Sequence, residues 1–125
     1  MILATSSYAG WRPEHGTPVR ITLGLPQWPR PPGRERWPFL AELAPRGWYF
    51  RAGPERFASC YLSQLNRFAD DIERKLSWLA DAYPGQPLVL CCFERRVRAG
   101  DCHRLLAATW LRDRLGLDVP ELDPR

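Results

Sequence analysis

Residues 91–104 read CCFERRVRAGDCHR, three cysteines, a glutamate, a histidine and four arginines within fourteen positions. A cysteine thiolate is a nucleophile and a metal ligand, glutamate and imidazole move protons, and a guanidinium grips phosphate or carboxylate through paired N–H groups. In that chemistry Cys92 or Cys102 would attack a substrate, Glu94 or His103 would move protons, and Arg104 would hold an anion. Cys102, His103 and Arg104 fall where a helix is expected to begin, capped by Asp101. Unpaired backbone N–H groups and the helix dipole favour negative charge there, whether on the Cys102 sulfur or on a bound phosphate.

Other chemistries use the same residues. Cys92 and Arg98 fit C-x5-R, the spacing of a phosphatase loop, although Ala99, Gly100 and Asp101 separate that arginine from the expected helix. Cys92, Glu94, Cys102 and His103 are acceptable zinc ligands. Adjacent Cys102 and His103 would point about 100° apart on a helix, however, so no cofactor is predicted and zinc stays a minor alternative. Cys91 and Cys92 alternate faces on a strand, and Cys91 and Cys60 are read as packing residues.

The elements that must position these groups come from periodicity. Ile2–Ser6 reads as a short strand that ends in the hydroxyls Thr5, Ser6 and Ser7 before Tyr8, and residues 19–24 as a second strand. Residues 26–38, rich in proline, form a long loop or lid. Residues 39–45 suit one or two helical turns, and 47–50 suit a strand or a core-packing loop. From Pro54 to about Tyr83, apolar residues recur every three or four positions, which predicts one long helix, straight or bent. LVLCCF, residues 88–93, is the pattern of a central parallel strand buried on both faces. A final helix runs from the CHR triplet to Gly116, with Leu106, Trp110, Leu111 and Leu115 toward the core, and Val119 and Leu122 fold back on the sheet. The whole predicts a single α/β domain over residues 1–125, a small, mostly parallel sheet flanked by helices. Ligands of such sheets collect at the carboxyl ends of the strands, where Thr5 to Tyr8 and Cys91 to Arg104 would meet.

The composition, 45% hydrophobic and 26% charged, is that of a folding chain and excludes wholesale disorder. No apolar stretch approaches the roughly 20 residues that cross a bilayer, and the start lacks the basic-then-apolar order of a signal peptide. A cytoplasmic location, reduced thiols and no membrane partner are therefore expected. The net charge of +4 is carried by residues 1–52, with seven arginines against three acids.

The Cys92-x-Glu94 motif and the Cys102-His103-Arg104 triplet, with SSYAGWRPEHGTPVRITLGLPQW near the start and VPEL near the end, resemble the short form of the family called Domain of Unknown Function 488. The resemblance implies a compact cytosolic α/β domain with no settled activity, and it adds Ser7, Tyr8 and Arg20 to the site. The reading that follows is a small enzyme acting on an anionic, phosphate-bearing substrate related to nucleotides or nucleic acid. Ser6, Ser7, Tyr8, Arg20 and Arg104 would bind that substrate. The alternative is a non-catalytic binder of nucleic acid or a nucleotide, with Trp11, Trp28 and Trp37 as stacking surfaces. The sequence does not indicate an oligomeric state.

Overall fold

The computed structural model describes residues 1–24, 33, 36–49, 52–93 and 103–123. Three parallel strands, β1 (Leu3–Ser7), β2 (Thr17–Arg20) and β3 (Leu88–Cys92), form one sheet in the order β1-β3-β2. Leu3 pairs with Leu88 at one end of the β1 ladder and Ser7 with Cys92 at the other, while Thr17 to Arg20 pair with Leu88 to Cys91. β3 is buried along its whole length, as its unbroken apolar run requires of a strand with neighbours on both sides.

β2 starts earlier than residues 19–24 suggest, and Ile21 to Gly24 lie beyond it. Pro18 is tolerated because the N–H of Thr17 already points inward, to Pro87 O at 2.9 Å, so the donor that proline lacks would face the outer edge. Gly16 makes that approach possible: it has φ +129°, and a side chain on it would sit 2.4 Å from Pro87 O. Both outer edges of the sheet are covered by short parallel bridges, Thr5 with Glu121 and Arg20 with Phe39.

The segment between β2 and β3 runs through 3-10 turns at Ala41–Leu43 and Gly47–Tyr49 into α1 (Pro54–Arg67) and α2 (Ala69–Ala82). The single long helix of the periodicity is thus two, broken at Phe68. A straight helix of that length would extend about 44 Å along strands of only about 17 Å, and the break lets both halves bury apolar faces on the sheet. α3 (His103–Leu115) follows β3 and ends at Gly116, whose φ of 68° suits the terminating turn.

The three helices pack on one face of the sheet, around Leu3, Val19, Leu88, Leu90 and Cys92. The other face carries a thinner cover in which Ala4, Tyr8, Val89 and Cys91 pack beneath Trp11, Trp37 and Leu122. Val119 is buried and Leu122 is half-buried, so the tail does return to the sheet. Among the described residues no helix is long and apolar enough to cross a membrane.

Candidate site at the carboxyl edge of the sheet

β1 ends at Ser7, β3 at Cys92 and β2 at Arg20, and α3 starts at His103. Strand alternation then sorts the side chains: Ser7 and Cys92 share the helical face, while Ser6, Tyr8, Arg20 and Cys91 take the other.

On the helical face the dominant group is Arg104, which is fully buried. Its Nε and Nη2 donate to Glu121 Oε1 and Oε2 at 2.8 and 3.0 Å, and its Nη1 donates to Cys92 Sγ at 3.1 Å. Glu121 also accepts from Thr5 Oγ1 at 2.6 Å and from the Asp123 amide at 3.2 Å. A buried ion pair is tolerable only when hydrogen bonds satisfy the remaining donors and acceptors, and this fork-to-carboxylate geometry with two further donors supplies them. The guanidinium is therefore turned to the tail and to a sulfur, and not to solvent as an anion clamp would be. A cationic donor against Cys92 Sγ stabilises negative charge on that sulfur, while its complete burial opposes it.

Ser7, also buried, donates to Asp123 Oδ2 and accepts the Gly10 amide at 2.8 Å. A side chain at Gly10 would come within 2.8 Å of the Asp123 carboxylate, so the glycine permits the contact. Neither Glu121 nor Asp123 is among the site residues expected from the sequence: Glu121 enters there only as part of VPEL, and Asp123 has no signal beyond an acidic tail next to sheet-packing apolar residues.

On the opposite face Tyr8 OH lies 2.5 Å from Thr22 Oγ1. Thr22 gives its proton to Gly24 O at 2.7 Å, so the phenol is the donor. Burial pushes the Tyr8 pKa well above its ordinary value, against the Thr22 hydrogen bond and the Arg20 charge, and keeps the phenol protonated. Arg20 lies over the Phe39 ring at 4.0 Å, with its Nε buried and without a hydrogen-bond partner among the described residues. Ser6 is buried and donates to Ser7 O at 3.0 Å. The sheet therefore separates Arg20 and Tyr8 from Arg104 and Cys92, groups the sequence reading combined in one anion site. Cys91 fits its packing role: burial drives its pKa well upward, with the Arg104 charge only partly opposing, and Sγ donates to Val89 O at 3.4 Å.

His103 stands at the top of the sheet, buried, with Nε2 2.9 Å from Ile21 O and its ring edge-on to Tyr61 at 5.6 Å. A carbonyl only accepts, so Nε2 carries a hydrogen. The imidazole lines a largely apolar hollow of about 200 Å³ together with Thr22, Gly24, Pro45, Gly47 and Phe93. Thr22 thus connects the hollow to Tyr8.

Glu94 and Cys102 lie outside the described residues, as do Arg98 of the C-x5-R match, Asp101 and Trp28. Of the four zinc-ligand candidates only Cys92 and His103 are described, and among the described residues no three or more His, Cys, Asp and Glu side chains gather as a metal site would require. Trp11 and Trp37 pack edge to face at 5.0 Å, and Trp37 also meets Tyr8 at 5.8 Å. They cover the second face of the sheet and are half-buried. No protein-family model, curated protein or solved structure matches this chain.

Proposed function

We propose that the protein is a small enzyme that acts on an anionic, phosphate-bearing substrate, of nucleotide or nucleic-acid type, at the carboxyl edge of its sheet. Cys92 is the nucleophile in this reading and His103 carries the proton. The resemblance to Domain of Unknown Function 488, with its Cys-x-Glu and Cys-His-Arg motifs, is part of the same proposal. The observation that carries it is the 3.1 Å contact from buried Arg104 to Cys92 Sγ at the end of the central strand, which sets a cationic donor against the sulfur and so offsets the cost of charge there. His103 supports it by lining a hollow while its Nε2 donates to Ile21 O. Glu94 and Cys102 are the chain neighbours of Phe93 and His103, which both line that hollow, and they complete the proposed set.

The test is a melting-temperature screen of the wild-type chain against nucleoside phosphates, sugar phosphates and inorganic phosphate. A ligand at a hundred times its Kd adds about 2.7 kcal/mol of stability. His103→Ala should remove that gain, and Cys92→Ser should keep binding but end turnover of the same ligand. Turnover at the wild-type rate in Cys92→Ser would refute the nucleophile. Binding that falls steeply with salt and ignores both substitutions would instead identify the non-catalytic binder.

A further inference from the structure

A second hollow of about 390 Å³ opens beside α1, within the roughly 300–1,000 Å³ range of small-molecule sites. Its wall carries Arg46, Trp48, Ser59, Cys60, Ser63 and Arg67, and among the described residues no acidic side chain lines it. Trp48 is 74% exposed, an unusual expense of apolar surface for a residue that caps a cavity. Ser59 and Ser63 stand one helical turn apart on the same side of α1, both exposed, with Arg67 a further turn along. Neither Arg46 nor Arg67 has an ion-pair partner among the described residues. The Arg67 guanidinium lies 5.6 Å from the centre of the Phe68 ring.

The floor is rigid where the rim is open. Tyr49 OH donates to Gln64 Oε1, and Gln64 Nε2 donates to both Glu42 O and Ala44 O at 2.9 Å, so the buried polar groups beneath the cavity are mutually satisfied. A preorganised floor reduces the ordering cost of binding. The chain passes from α1 into α2 through Phe68, whose N donates to Gln64 O and whose O accepts from Ile72 N. One strap separates the two hollows: Pro45 and Gly47 face the His103 hollow, and Arg46, Trp48 and Tyr49 face this one.

We propose that this cavity binds a planar aromatic ring carrying one anionic group, the ring against Trp48 and the anion between Arg46 and Arg67, with the two serines as hydrogen-bond partners. A nucleoside monophosphate has this chemistry, and so does an aromatic carboxylate. The site is separate from the carboxyl edge and stands or falls independently of the enzyme reading.

Cys60 supplies the probe, because it lines the cavity and is only half-buried, whereas Cys91 and Cys92 are buried. The experiment measures the rate of Cys60 alkylation by iodoacetamide, by peptide mass spectrometry, with adenosine 5′-monophosphate, 2-naphthoate, adenosine or inorganic phosphate present. Protection by either the monophosphate or the naphthoate, with adenosine and phosphate alone about tenfold weaker, supports the site and names its anion. Trp48→Ala should weaken the protecting ligand about tenfold, and Arg46→Ala with Arg67→Ala should abolish protection, all at exposed or half-exposed positions that leave the core intact. Protection by inorganic phosphate alone at equal concentration would overturn the stacking role. Absence of protection by all four probes would overturn the site. Protection lost in His103→Ala and kept in the Arg46→Ala, Arg67→Ala variant would overturn it too, by assigning the ligand to the carboxyl edge.

Discussion

On one face of β3, Cys92 sits in the main core under three helices and receives a hydrogen bond from a buried guanidinium. On the other face its neighbour Cys91 lies in a thin layer beneath Trp11 and Trp37, donates to a backbone carbonyl and is held firmly as a thiol by burial. Two identical side chains, adjacent in sequence and equally inaccessible, thus differ in chemistry because the pleat gives them different neighbours. Among the described residues, the helical face adds to its apolar core a buried ion pair between α3 and the tail, while the far face combines ring contacts with a phenol–hydroxyl hydrogen bond.

The largest blow to that contrast should come from Arg104→Met, which leaves Glu121 with a partly buried, unpaired charge. We expect a loss of about 3 kcal/mol, a fall in Tm of roughly 10 °C by calorimetry. Arg104→Met combined with Glu121→Met should recover most of it, since an apolar pair of similar volume is commonly as stable as the buried ions. If the double variant is as unstable as the single, the cost lies in packing and not in charge.

A smaller effect sharpens the far-face side. In the unfolded chain the Cys91 thiol ionises near its ordinary 9.0, while in the folded protein it stays protonated to higher pH. Above pH 9 the unfolded state therefore holds fewer protons, and stability falls as pH rises by about 1.4 kcal/mol per unit, or about 2 kcal/mol by pH 10.5. Below pH 9 the contribution is fully present. Denaturant titrations from pH 8 to 10.5 should show this fall in the wild type and a shallower one in Cys91→Ala. An unchanged slope would mean that Cys91 ionises readily in the fold.

The smallest effect is that of Tyr8→Phe, which removes the donor to Thr22 while Thr22 keeps Gly24 O. We expect about 1 kcal/mol at pH 7. Because the Tyr8 pKa is also raised, the same variant should lose part of the stability decline above pH 10. A loss far above 1 kcal/mol would show that the aromatic layer of the far face depends on that hydrogen bond more than on ring packing.

Much of the scaffold was legible because its signals are local. The unbroken run at 88–92 specified a buried central strand, the three-to-four spacing after Pro54 specified helix, and Gly116 specified where α3 stops. The break at Phe68 was not legible, because no proline or glycine marks it and it answers to the length of the sheet. The strand at 19–24 is displaced because Thr22 to Gly24 continue the alternation but lie beyond the last bond to β3, Ile21 N to Cys91 O at 3.2 Å. In the candidate site, residue types were readable and their grouping was not. Arg20 and Arg104 fall on opposite faces, which depends on the register of β2 against β3. Glu121 and Asp123 meet Thr5 and Ser7 across 116 residues of chain.

The sequence by itself determined the buried strand at 88–92, the helical character after Pro54, the stop of α3 at Gly116 and the presence of thiol, imidazole and guanidinium groups close in sequence to the end of β3, because side-chain period and backbone preference act over a few residues. Only the tertiary structure decided which thiol meets a cation, that Arg104 is committed to Glu121, and that a strap of five residues separates two hollows. Those outcomes are set by strand register and by contacts between distant segments, whose partners no local pattern encodes.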